Sequence, residues 1–246
     1  MKHLTLILIL VFSSILFFAC HKEEQEEEEE LKTTVSDYDG NEYPIIKIGN
    51  QYWTQENIRS RHYANGEAIN DYMYPNNDAN LVEKYGLLYS WDEVMHGKKD
   101  SENNPSGVQG ICPEGWHVPS HAEWTQLTNY VGKQTEFQCD GNVRNVAKAL
   151  ASTEDWLEFE MTKCAIGNDL SKNNLTGFSI YPAGSGAEDS YKNTALFWTC
   201  TEYFNENYPD ENGKKAYSRQ LHNYGVSVYN RNSFKTCHFS VRCVKD

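Results

Sequence analysis

Beyond residue 36 the apolar residues fall into short runs cut by clusters of Gly, Asn, Asp and Pro, the punctuation of turns. Residues 43–48 are rich in β-formers, Gly49-Asn50 supplies a turn, and residues 51–54 read as the returning strand of a hairpin. Residues 60–80 and 96–110 are polar with little periodicity and are expected to form long loops, while 85–91 is a short apolar stretch suited to burial. The clearest helix opens at Ser120, which with Glu123 makes a capping box where each residue satisfies a donor of the other. Trp124, Leu127 and Val131 follow at i, i+3 and i+7 on one face, and Gly132 ends the run. A second helix is expected over 143–151, with Val146, Ala149 and Leu150 turned inward. Strands are expected over 177–181, 196–201, 216–221, 226–229 and 239–244, with polar connections at 183–194 and 202–215. Two helices followed by short antiparallel strands predict one α+β domain over 37–246. Its long loops must be functional, pinned, or both.

The first residues follow a different pattern. Lys2 and His3 precede an uncharged apolar run, 4–18, then small Ala19 and Cys20. A basic start, a short apolar stretch and a small residue describe an export signal over 1–19. A membrane-spanning anchor is the alternative, but crossing ~30 Å of hydrocarbon takes about 20 apolar residues. Leu16-Phe17-Phe18-Ala19-Cys20 resembles a bacterial lipobox, with Phe17 and Phe18 replacing smaller or more usual residues. That resemblance implies a lipidated Cys20, and stable membrane attachment then takes more than one acyl chain. A soluble secreted protein with an odd Cys is the competing reading. After Cys20, Glu26 to Glu30 and their neighbours form a like-charged block, expected to be a solvated tether over 20–36. A Cys followed closely by Lys22, Glu23 and Glu24 also resembles the surface-export signal of Bacteroidetes outer-membrane lipoproteins. The expected location is the outer membrane, lipid-anchored and facing the cell surface; a plain spacer is the alternative role of the tether.

Export changes the reading of the cysteines. Cys112, Cys139, Cys164, Cys200, Cys237 and Cys243 form an even set, and an oxidising compartment favours disulfides. Six cysteines allow fifteen connectivities. The preferred pairing is Cys112–Cys243, Cys139–Cys164 and Cys200–Cys237, a hypothesis that ties the middle of the chain to its last strand. Metal binding by these thiols is not expected, since there is no CxxC and no His at zinc spacing. Composition narrows the partners. A formal charge of −13 repels nucleic-acid backbones, whose affinity comes mainly from Lys and Arg. Aromatic residues at 13 % exclude disorder for most of the chain.

Six segments, in order, carry a family resemblance: DYDGNEYPIIKIGNQYWTQENIR at 37–59, YGLLYSWDEV at 85–94, CPEGWHVPSHAEWTQL at 112–127, GFSIYPAG at 177–184, FWTCTEY at 197–203 and FSVRCVKD at 239–246. Together they resemble the Fibrobacter succinogenes major paralogous domain, over essentially all of 37–246. The family typically occurs in exported bacterial lipoproteins and its biochemical role is largely undefined. The resemblance implies a fold similar to C-type lectins and to the formylglycine-generating-enzyme domain, but a fold does not transfer a function.

Enzymatic signatures are missing: there is no GxSxG, HExxH, P-loop or GxGxxG opening a helix. The Cys-x4-Cys pair of formylglycine-generating enzymes does not map here, because Cys237 and Cys243 have five residues between them rather than four and Cys243 lies in the closing strand. His117 is expected to be a structural histidine satisfied by backbone, and Glu154, Asp155, Glu158 and Glu160 around Trp156 to be solvated. No catalytic residue and no cofactor are expected. Binding fits better. The Glu-Pro-Asn and Trp-Asn-Asp signatures of C-type lectins are absent, but Tyr203, Asn205, Asn207, Tyr208, Asp210 and Asn212 cluster in one loop and form the expected ligand site. With Glu206 and Glu211 the same oxygens could hold Ca²⁺, a hard cation. Tyr224, Tyr229, Asn230, Arg231 and Asn232 offer a second aromatic and amide set. The leading expectation is a non-enzymatic cell-surface lipoprotein that binds a glycan or another surface macromolecule. An accessory subunit of an envelope, adhesion or uptake complex is the first alternative, and an enzyme on a formylglycine-generating-type fold the second.

Overall fold

A computed structural model describes residues 33–186 and 190–246. The expected signal over 1–19, lipidated Cys20 and the acidic run that follows lie outside the described residues. Strand β1 (Thr34–Ser36) pairs with β2 (Glu42–Ile48), so the last residues of the expected tether already belong to the sheet. The β2 strand and β3 (Gln51–Thr54) form the expected hairpin, with Ile46 opposite Trp53 and Gly49 at φ +62 in the turn. Next come β4 (Tyr72–Met73), α1 (Val82–Tyr85), β5 (Leu88–Tyr89), α2 (Trp91–Met95) and β6 (Trp116–His117). The rest is α3 (His121–Lys133), α4 (Ala147–Leu150), β7 (Thr194–Glu202), β8 (Lys215–His222), β9 (Tyr229–Phe234) and β10 (Val244–Lys245). The strands form a five-stranded sheet in the order β1-β2-β3-β10-β6, a pair β4-β5, and a three-stranded sheet β7-β8-β9. The fold is mixed, with antiparallel strands and few long helices.

The capping box of α3 is present in both directions, with the Ser120 hydroxyl accepting from the Glu123 N–H at 3.2 Å and Glu123 Oε2 accepting from the Ser120 N–H at 2.9 Å. Its inward residues Trp124, Leu127 and Val131 meet Trp53, Phe178 and Phe197 in one apolar cluster, with Trp53 and Trp124 4.9 Å apart. A second cluster gathers Trp91, Trp198, Phe239 and the Cys112–Cys243 disulfide. Closing a loop of 131 residues contributes about 5 kcal/mol in the chain-entropy account of disulfides.

Several expectations need correction. The second helix covers only Ala147–Leu150, because Asn142 and Asn145 are taken into a turn at Cys139. Residues 177–181 are coil with Phe178 and Ile180 buried and a single bridge from Ile180 to Ala151. The fully buried guanidinium of Arg242 supplies donors there, to the Phe178 carbonyl and to the Ser179 carbonyl at 2.9 Å, in place of a neighbouring strand. The expected strand at 226–229 begins at Tyr229 instead and runs to Phe234. Within 239–244, Phe239 and Ser240 make single bridges, and only Val244, with Lys245, joins a ladder. Cys139–Cys164 is formed alongside Cys112–Cys243, but Cys200 and Cys237 are free, so the expected third pair is not made. Cys200 Sγ faces the Ser101 carbonyl at 3.5 Å instead.

Candidate binding surface

The expected ligand loop leaves β7 at Glu202 and returns at Lys215, and its polar groups hold the loop together. Asn212 Oδ1 accepts the Asn205 N–H at 2.9 Å, Asn205 Oδ1 accepts the Asn207 N–H at 2.9 Å, and Asn205 Nδ2 donates to the Tyr203 hydroxyl at 2.7 Å. The Tyr203 ring packs edge-on against Tyr217 at 5.4 Å. Asn207, Tyr208 and Asp210 are exposed. The six residues are therefore divided: Tyr203, Asn205 and Asn212 knit the turn, and the other three face water. A Ca²⁺ ion would have to compete for Asn205 and Asn212 oxygens that already accept backbone donors. Among the described residues, one group of three His, Cys, Asp or Glu side chains brings its donor atoms within 4.8 Å, namely Cys139, Asp140 and Cys164. Both its sulfurs are in the disulfide.

A polar cleft of about 340 Å³ opens beside α2, lined by Tyr63, Asp71, Asp92, Glu93, His96 and Lys235 among others. Sequence pattern gave no sign of it, since its walls come from distant segments. Its side chains are mostly paired with one another or with neighbours. His96 meets Glu67 at 2.6 Å, Asp71 meets His238 at 2.7 Å, and Lys235 pairs with Glu202 while lying over the Trp91 ring at 4.0 Å. The Tyr63 hydroxyl donates to Glu93, and its ring stacks on His96 at 3.6 Å. Little is left to receive a ligand.

The opposite end of the three-stranded sheet is built differently. The β8–β9 turn carries Tyr224, 51 % exposed, and β9 starts with Tyr229, 38 % exposed. His222 stacks on Tyr224 at 4.6 Å with the planes 17° apart, and meets Tyr229 edge-on at 5.9 Å. Phe159 extends the row beyond Tyr224 at 6.0 Å. Burial, and then Arg231 nearby, hold the His222 pKa below the ordinary imidazole range, so the row is uncharged at neutral pH. Arg231 Nε donates to Gln220 at 2.8 Å beside it. The hydroxyls of Tyr224 and Tyr229 and the amides of Asn230 and Asn232 make no side-chain hydrogen bond among the described residues. Tyr224, Tyr229 and the amides were legible as an exposed set, whereas Phe159 and His222 are joined to them only by the fold.

The backbone underneath explains the rigidity of this platform. Asn223 O accepts from the Gly167 N–H at 2.7 Å, Gly225 O from Ile166 at 3.1 Å, and Val226 O from Ala147 at 3.1 Å. Gly167 O accepts from the Phe159 N–H at 3.0 Å. A Cβ on Gly167 would stand 2.4 Å from the Leu157 carbonyl, so this close approach needs glycine.

Several other titratable groups are tied into the fold. His117 is satisfied by two carboxylates rather than by backbone, with Nε2 at 2.7 Å from Glu123 and Nδ1 at 2.6 Å from Asp246. Burial alone would lower its pKa, but the two carboxylates outweigh burial and raise it. Around Trp156, Glu154 and Asp155 share Lys84 at 2.7 and 2.6 Å. Burial pushes the Cys200 thiol up to about 12 and raises Cys237 as well, the reverse of what a nucleophile needs.

No curated protein and no solved structure matches the chain. A family does, over residues 46–245, which take in the platform and every strand except β1 and the start of β2. By that match the chain belongs to the Fibrobacter succinogenes major domain family.

Proposed function

We propose that the domain is a non-enzymatic binding module that presents Phe159, Tyr224, His222 and Tyr229 to a glycan. In this reading the fold is arranged like a C-type lectin, and the chain is held to the outer membrane by lipid on Cys20 with the domain facing outward. One observation carries it: a contiguous row of neutral rings, with Tyr224 and Tyr229 exposed and Phe159 and His222 half-buried, lies beside amides that have no partner among the described residues. Rings with polar tips suit the C–H faces and hydroxyls of sugars, and an exposed apolar patch on a soluble domain commonly marks an interaction site. The raised thiol pKa values speak against the enzyme alternative.

The test is affinity electrophoresis and glycan-array binding with Tyr224→Ala and Tyr229→Ala, set against Tyr203→Ala and Tyr208→Ala. The platform pair is expected to lose at least about tenfold in affinity, or ~1.4 kcal/mol, and the loop pair to bind normally. The opposite pattern would return the site to the loop. Mass spectrometry of the amino-terminal peptide and protease shaving of intact cells test the anchor and its orientation. A second reading, an accessory subunit of an envelope complex, is favoured by β9, an edge strand whose residues are nearly all exposed. Such edges invite strand addition by a partner. Co-purification of a protein that protects the β9 amides from exchange would favour it over the glycan.

A further inference from the structure

Lys148 lies on α4 and is only 6 % exposed. Its ammonium forms no ion pair among the described residues. Instead its three N–H groups are shared among four main-chain carbonyls: Ala165 at 3.3 Å, Ile166 at 3.5 Å, Asp169 at 3.2 Å, and Asn168 at closer range. Asp169, whose carbonyl is one of the four, has its carboxylate on Lys172 at 2.8 Å and on the Ser171 hydroxyl at 2.6 Å. Four carbonyl oxygens converging on one positive centre are the surroundings a hard metal ion takes in a loop. They also offset part of the cost of burying an unpaired charge.

The loop gathered in this way is the one that supports the platform. Ile166 and Gly167 donate to the Tyr224 turn, and Gly167 accepts from Phe159. We propose that residues 165–169 form a carbonyl-lined cation site whose resident cation is the Lys148 ammonium, and that this internal cation sets the spacing of Phe159 and Tyr224. Lys148 is then a positioning residue of the binding surface, and the surface needs no added metal to hold its shape. The functional half of this inference rests on the glycan reading; the cage itself does not.

Truncation should empty the site without closing it. In Lys148→Ala the missing atoms have the size and donors of propylammonium, while tetramethylammonium carries the same charge with no N–H. Hydrogen exchange at Ile166 and Gly167 reports the loop without any ligand, and near-ultraviolet circular dichroism of the Trp53–Trp124 pair reports the fold. Exchange at the two amides is expected to speed up by about tenfold or more in Lys148→Ala and Lys148→Met. Propylammonium should restore protection to Lys148→Ala and leave Lys148→Met, whose side chain fills the space, unchanged; tetramethylammonium should restore neither. If Lys148→Ala folds only with propylammonium present, that is the same positive result. Unchanged protection in Lys148→Met, or equal effects of the two ammonium salts, overturns the cage. A protein that passes this test yet binds no polysaccharide in affinity gels keeps the cage and loses the glycan reading.

Discussion

The two connections of the three-stranded sheet solve opposite problems. The β7–β8 connection is long, and its backbone is satisfied by its own Asn205 and Asn212, so the residues that look most like ligands are its internal fasteners. The β8–β9 connection is short, and its backbone is held from outside by Ala147, Ile166 and Gly167, so Tyr224 stays uncommitted while Asn223 donates outward to the Leu157 carbonyl at 3.3 Å. The lesson concerns where a loop finds its hydrogen bonds. A buried or ordered backbone must be satisfied somewhere, and a segment that does this with its own amides has fewer left for a ligand.

The comparison breaks most sharply at the supporting glycine. Gly167→Val should drive a side chain into the Leu157 carbonyl, cost about 3 kcal/mol in chemical denaturation and abolish platform binding. Gly213→Ala, in the long connection, has open space around its new methyl but a backbone φ of +76. It should cost about 1 kcal/mol and leave binding intact. The next effect is a double dissociation among the amides. Asn205→Ala and Asn212→Ala should each lose about 1 kcal/mol of stability without weakening binding. Asn230→Ala and Asn232→Ala should weaken binding while stability stays within about 0.5 kcal/mol. Equal stability losses at all four positions would erase the distinction.

The smallest effects come with pH and separate the platform from the interior. The His222 pKa is depressed in the native state, so as pH falls from about 6.5 the unfolded chain takes up its proton first and stability declines through that depressed value. Charging the ring row should weaken binding over the same window. The His117 pKa is raised, so its contribution is complete below about 6.5 and fades as pH rises through the raised value. Melting temperature against pH should lose part of its acid-side decline in His222→Gln, the rest staying with groups such as His121, whose burial holds it down at about 4, and part of its alkaline-side decline in His117→Gln. Only the first variant should alter the pH profile of binding.

How much of this was legible depended on whether a residue's partners are side chains of recognisable pattern. The α3 helix was readable because Ser120 and Glu123 cap it locally and Trp124, Leu127 and Val131 repeat at helical spacing. The first hairpin was readable from Gly49-Asn50 between two runs of β-formers. The β9 strand was misplaced because Tyr229–Phe234 has no buried alternation; it is a strand only through its pairing with β8. Residues 177–181 read as a strand because Phe178 and Ile180 are core residues, but Arg242 takes the carbonyls that a ladder would use. The Lys148 cage left no trace, since its ligands are main-chain oxygens that any residue supplies. The third disulfide was a matter of parity alone, and Cys200 is buried against Ser101 instead.

The place of β10 between β3 and β6 has a consequence for biogenesis. Val244 is the residue that lines up with both Trp53 and His117, and its neighbour Cys243 is bonded to Cys112. A nascent polypeptide emerging from its amino end therefore displays a sheet without the strand that joins β6 to β3 until residues 244–245 have been synthesised. Contacts this distant in sequence form slowly, and exposed strand edges meanwhile invite aggregation. Maturation of the domain should therefore be timed by the arrival of the closing strand.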